Sequence, residues 1–133
     1  MTTTYERLKY ELASRYNMNK YHNDAEVRIK GHEKAATYIH IIIQDTYIVF
    51  RFVSYRTTVM SVFIPNVHNK ECTFNAPYLW IKGLYSATTR KHIGWWVNWL
   101  VDMGVVPYNW NYYTIKQAWN DKEEDKPMAR LYF

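Results

Sequence analysis

The sequence predicts an α+β fold: an antiparallel sheet of four to five strands, with one long helix at about 86–103 and an N-terminal helix packed on it. Three observations carry that expectation. The middle of the chain holds short β-branched and aromatic runs separated by turn residues. Two of these runs are joined only by Gln44-Asp45-Thr46, a hairpin spacing. Beyond Ser86 the apolar residues change from strand alternation to a helical period.

Taken in order, Thr3 and Glu6 have the spacing of a capping box, and Tyr5, Leu8, Leu12 and Tyr16 follow near helical period, which predicts a helix over about 4–16. Asn17, Asn19, Asn23 and Asp24 mark a loop. Val27 and Ile29 then alternate with Glu26, Arg28 and Lys30 as in a half-buried strand that Gly31 ends. The runs 37–43 and 47–55 form the hairpin, and a third run, 57–64, stops at Pro65-Asn66, since proline cannot continue a central ladder. Residues 66–77 are polar and read as the longest loop, and 78–82 returns as a strand closed by Gly83. Ile93, Trp96, Val97, Leu100 and Val101 fall on one helical face, with Gly104 and Pro107 as the stop. Thr114 with Gln117 suits the cap of a short third helix fading into 121–126, and 128–133 reads as a terminal strand or docked tail.

A chain of 133 residues fits a single domain large enough for a real core. The longest apolar candidate, 38–53, is broken by His40, Gln44, Asp45 and Arg51, so no membrane span is expected. The first residues lack a basic stretch followed by an apolar one, and Cys72 is the lone cysteine, so a cytoplasmic site of action is expected. The net charge of +5 favours an anionic partner, but it is spread evenly: residues 1–56 hold nine of the 17 basic side chains. The aromatic content is less ordinary. Thirteen Tyr, six Trp and five Phe bring large contact area at low rotamer cost, and a small domain cannot hide them all.

The candidate site residues lie around the start of the long helix. Ser86, Thr88 and Thr89 are suited to capping it. Arg90, Lys91 and His92 follow at once, although a helix N-terminus already carries about half a positive charge, so an anion is expected to compensate them. Arg51 and Arg56 extend this cationic set, making a flat basic surface if they share a sheet face with Arg28 and Lys30. Trp95 and Trp99 are four residues apart, off the main apolar stripe, and are expected to stack on one another as an aromatic anchor; Trp110 and Tyr112 pose the same choice between core and interface. The ring and cation interleaving of the first helix, from Tyr5 to His22, is met in single-strand binders, but Glu6 and Glu11 favour a solvated helix face. The five histidines lack metal-ligand spacing, no nucleophile or phosphate-loop motif is present, and the acidic residues are scattered except at 121–125. No catalytic group, metal or cofactor is therefore expected.

Ser54-Tyr55-Arg56-Thr57-Thr58-Val59, followed by Tyr85-Ser86-Ala87-Thr88-Thr89-Arg90-Lys91-His92-Ile93, resembles an uncharacterised family of small phage-encoded domains. In that family a strand with a Ser-Tyr-x-Thr-x-Val pattern precedes a Tyr-Ser-x-Thr-Thr-x-x-His-Ile helix start. The likeness covers roughly 25–104 and departs from the pattern at 65–77, in the Trp-rich stretch 94–100 and at both termini. It implies a phage origin and carries no activity.

Two functions follow as expectations. The first is a non-catalytic phage accessory protein that binds and inhibits a host defence protein or nucleoprotein complex in the host cytoplasm, as an anti-CRISPR or other anti-defence factor. The alternative is a nucleic-acid-binding accessory or regulatory protein, acting on DNA or RNA. Replacing Arg90 and Lys91 together by alanine is expected to weaken partner binding while stabilising the helix by about 0.3–1 kcal/mol per charge removed. Thermal melts and a binding assay check this, and a lower melting temperature with unchanged binding would make both residues structural.

Overall fold

In a computed structural model, described for residues 5–133, the chain forms a six-stranded antiparallel meander with three helices on one of its faces. Helix α1 spans Tyr5–Tyr16, and the strands are β1 Asp24–Val27, β2 Thr37–Ile43, β3 Tyr47–Ser54, β4 Thr57–Pro65 and β5 Tyr78–Ile81. Helices α2, Ala87–Asp102, and α3, Tyr112–Asp121, follow, and β6, Ala129–Tyr132, closes the sheet. Every strand pairs with its neighbour in sequence, in the order β1-β2-β3-β4-β5-β6. The sheet has one strand more than the four to five expected, because the tail after residue 128 pairs with β5.

Strand alternation decides what is covered. In β2 the odd positions Thr37, Ile39, Ile41 and Ile43 are buried, and in β3 the same face carries Ile48, Phe50, Phe52 and Ser54. Rings of α2 pack directly on them, with Trp96 centred 5.5 Å from Phe52 and Trp99 5.6 Å from Phe50. Leu8 and Leu12 of α1, Met18 after it and Ile115 of α3 complete this one core. A bulge between Phe52 and Val53 leaves Val59 without a partner on β3.

Polar contacts fix α2 within that core. Trp96 Nε1 donates to Thr37 Oγ1 at 2.8 Å, and that hydroxyl donates in turn to the Val53 carbonyl at 2.8 Å. Ser86 is the N-cap, its Oγ accepting from the Thr89 backbone N–H at 3.2 Å. At the other end Gly104 sits at φ +71 and its N–H returns to the Val101 carbonyl. Arg7 of α1 donates to the Gly104 carbonyl at 2.8 Å, and a Cβ at this position would come within 2.9 Å of that guanidinium.

Two boundaries differ from expectation. Strand β1 lies at 24–27 rather than around 26–30, because Arg28 turns out of the ladder to donate to the carbonyls of Ala35 and Thr37. Helix α3 starts two residues before Thr114, with Asn111 as cap: Tyr113 N–H donates to Asn111 Oδ1 at 2.8 Å and Asn111 N–H to Thr114 Oγ1 at 3.1 Å. Thr3, the expected cap of α1, lies outside the described residues.

Replacing Thr37 by valine keeps the shape but removes both hydrogen bonds of its hydroxyl, stranding a buried indole N–H. The expected loss is about 1–3 kcal/mol of unfolding free energy, read from urea midpoints at unchanged m value.

Candidate binding surface

With all three helices on one side, the other face of the sheet is set by the alternate residues. Cross-strand register places Ile42, Val49, Phe63, Tyr78 and Tyr132 in one row across β2 to β6, and His40, Arg51, Ser61, Trp80 and Arg130 in the next. Tyr47 precedes the first row, and Phe74 folds over it from the 66–77 segment. The rings form a chain of contacts: Tyr47 to Phe63 at 6.0 Å, Phe63 to Tyr78 at 5.0 Å, Tyr78 to Tyr132 at 5.8 Å, with Trp80 edge-on to Phe63 at 5.8 Å. An open face of an antiparallel sheet is usually polar. Here its β4 to β6 side is aromatic, and the rings cover one another so that all but the exposed Tyr132 are half-buried.

Cations accompany these rings. The Arg130 guanidinium lies 4.9 Å from the centre of Tyr78, 5.0 Å from Trp80 and 6.0 Å from Tyr132, close enough for cation–π attraction to each. It also donates to Tyr132 OH at 3.1 Å. Burial raises the Tyr78 phenol above its ordinary pKa, with Arg130 opposing the shift, so the ring stays a neutral donor. Arg51 is exposed at the centre of the face and pairs with no carboxylate among the described residues. The acids of this face gather at the β1 edge, where Asp24 meets His40 at 2.8 Å and Glu26 lies 3.9 Å from Arg28. The face therefore runs from an acidic rim at β1 to a cationic, aromatic half at β4 to β6.

The structure divides the residues singled out from the sequence. Arg51 is on the open face, and Arg28 joins it over the Tyr38 ring, whereas Lys30 lines a small hollow with His32 and Trp95, so the expected basic surface is only partly assembled. Arg56 is exposed in the β3–β4 turn beside Tyr55, whose φ is +57. Arg90 and Lys91 are exposed in the first turn of α2, at the same end of the molecule, since the Tyr55 ring is 6.1 Å from His92.

His92 itself does not join that cationic set. It is 3% exposed, and its Nδ1 lies 2.7 Å from Ser54 Oγ, which also reaches Thr89 Oγ1 at 3.3 Å. The segments around Ser54 and His92 thus meet in one cluster, in which Ser54, Thr89 and His92 are buried and Ser86 stands at the exposed edge. A Ser–His contact of this length serves nucleophile activation in hydrolases. With Ser54 only 2% exposed, no substrate reaches its hydroxyl, and the pair acts as a buried fastening.

The tryptophans also separate. Trp95 stacks on His32 at 3.7 Å with Lys91 over its ring, while Trp99 turns inward to Phe50 and Phe52 and donates to Tyr16 OH, so the expected Trp95–Trp99 stack does not form. Trp110 packs edge-on to Phe133, and Tyr112 packs against Tyr113 beside Gly94 of α2; Trp99, Trp110 and Tyr112 all lie against the core. Among the described residues no three His, Cys, Asp or Glu side chains gather as a metal would need, and no helix is long and apolar enough to cross a membrane.

Phe63, Tyr78, Trp80, Arg130 and Tyr132 were not among the candidates read from sequence. The available signal is the alternation within 78–81, where Tyr78 and Trp80 oppose Leu79 and Ile81; which pair remains uncovered depends on where the helices pack. Comparisons with protein-family models, curated proteins and solved structures found no match.

The burial of His92, with Lys91 and His32 nearby, lowers its pKa below the ordinary 6.5, so the folded protein holds it neutral while the unfolded chain protonates normally. This contribution to stability is complete above about pH 6.5 and falls as the pH drops from there toward the lowered folded-state pKa. Replacing His92 by asparagine is expected to lower stability at pH 8 and to flatten its dependence between pH 6.5 and 5. Urea unfolding across that range tests this, and an unchanged slope would show that His92 does not set it.

Proposed function

We propose that this protein is a non-catalytic phage accessory factor that binds and inhibits a host protein or nucleoprotein complex, an anti-defence factor of the anti-CRISPR kind, working in the host cytoplasm. The observation that supports this reading most is the helix-free sheet face, where Arg51 and Arg130 stand among the rings of Phe63, Tyr78, Trp80 and Tyr132. Aromatic residues and arginine are the residue types that carry most binding energy at interfaces. The phage-like Ser54 and His92 motifs fit the same provenance, and their burial leaves them a role in positioning α2. Direct binding of DNA or RNA is the second reading, favoured by the closeness of the Arg130 cation to the rings of Trp80 and Tyr78.

Capture from nuclease-treated host extract tests the first reading. The tagged protein is expected to retain a defined host component, and the double variant Arg51→Ala with Arg130→Ala to lose it roughly tenfold or more at unchanged melting temperature, because both side chains are exposed. Recovery of nucleic acid alone, or retention that ignores both substitutions, would remove the host-protein reading of this face.

A further inference from the structure

A cleft of about 680 Å³ lies at the β6 edge of the sheet, between the C-terminal end of α3, the 122–128 segment and β6 itself. Its lining includes Trp80 and Arg130, which belong to the open face, so the cleft and the aromatic surface are continuous. Lys122 and Lys126 add two ammonium groups, and Pro127 and Met128 supply an apolar wall. Asp121 and Glu123 also line it, and the Asp121 carboxylate already accepts from Gln117 Nε2 at 2.8 Å. The volume is within the ~300–1,000 Å³ of small-ligand sites.

From this combination we propose that the cleft takes one nucleotide unit of a single-stranded nucleic acid, whose neighbouring units run across the open face toward Arg51. The inference rests on the reading of that face as the docking surface and names the component it touches. Three features point to a nucleotide. The exposed Arg130 guanidinium lies 4.9 Å from the Tyr78 ring centre and 5.0 Å from that of Trp80, a planar cation among aromatic rings on which a base can stack. Lys126, and Lys122 whose ammonium lies 4.8 Å from the centre of the Trp119 ring, stand at the same cleft as phosphate partners. The aromatic chain from Tyr132 through Tyr78 and Phe63 to Tyr47, its rings in mutual contact at 5.0–6.0 Å between centres, continues the surface away from the cleft as a strip along which, not between whose rings, successive bases of an extended strand would lie. The acidic β1 rim, with Asp24 and Glu26, repels the backbone and ends the track on that side. A duplex keeps its bases stacked inside and offers no free base to the cleft, so single strands are selected.

Fluorescence anisotropy of the full chain with fluorescein-labelled 12-mers of dT and rU, and with a mixed-sequence duplex of the same length, tests the inference. Single strands are expected to bind roughly tenfold or more tightly than the duplex, and Arg130→Ala to weaken them by roughly tenfold. Arg130→Lys keeps the charge but not the planar stack, and is expected to recover only part of that loss. Lys122→Ala with Lys126→Ala is expected to lower the salt slope of binding by about 1.4, two phosphate contacts' worth on a single strand. Duplex binding as tight as single-strand binding overturns the inference, as do variants at Arg130, Lys122 and Lys126 that bind like the parent. If no strand binds while host capture still depends on Arg51 and Arg130, the inference fails and a protein partner is indicated. If neither strands nor a host component engage the face, both readings fall.

Discussion

The arrangement of the molecule depends on how helix α2 is fastened to the two central strands. Thr37 takes the Trp96 indole and gives its own proton to the Val53 carbonyl, and Ser54 takes up the His92 ring one strand end away. Each of these polar groups lies in the core, where an unmet donor costs about 1–3 kcal/mol, so a shift of the helix along the sheet would strand several at once. Apolar packing alone tolerates sliding. These contacts do not, and they give the helix one register. The other helices follow from it, because α1 is tied to its far end through Arg7 and Gly104 and through Tyr16 and Trp99, while Tyr112 of α3 rests beside Gly94.

One-sided layering then determines the chemistry of the exposed side. The apolar payload of β2, β3 and β4 on the helix side is aliphatic and phenylalanine-rich, as a closely packed interior requires. On the uncovered side the chain places tyrosine, tryptophan and arginine, which tolerate water at one end and apolar contact at the other. Their mutual packing holds the rings upright without a helix above them. A preformed surface of this kind loses little side-chain freedom when a partner arrives.

Much of the fold is legible in the residues themselves. The interval of three between the β2 and β3 runs, the proline that ends β4 and the helical spacing of Ile93, Trp96, Val97 and Leu100 are local signals, and local geometry obeys them. The expectations that failed needed contacts distant in sequence. Nothing near His92 announces Ser54, 38 residues earlier, and without that partner a histidine in a first helical turn reads as part of a charge cluster. Trp95 and Trp99 share a helical spacing, but His32 and Phe50 pull them apart. The open face was hidden for a similar reason. Alternation sorts Tyr78 and Trp80 from Leu79 and Ile81, yet only the position of α2 and α3 tells which pair is left bare.

The strand order in space repeats the order in the chain, and this has a consequence for assembly. No strand must be inserted between two that are already paired, so the sheet can grow at a single edge, by short closures from β1 to β5 and by one long closure, across α2 and α3, to β6. Arg130 and Tyr132 lie on β6, the last strand in the chain, which pairs with β5. Until β6 pairs, Tyr78 and Trp80 lack the Arg130 cation beside their rings, so the make-up of the exposed face depends on the longest closure in the sheet.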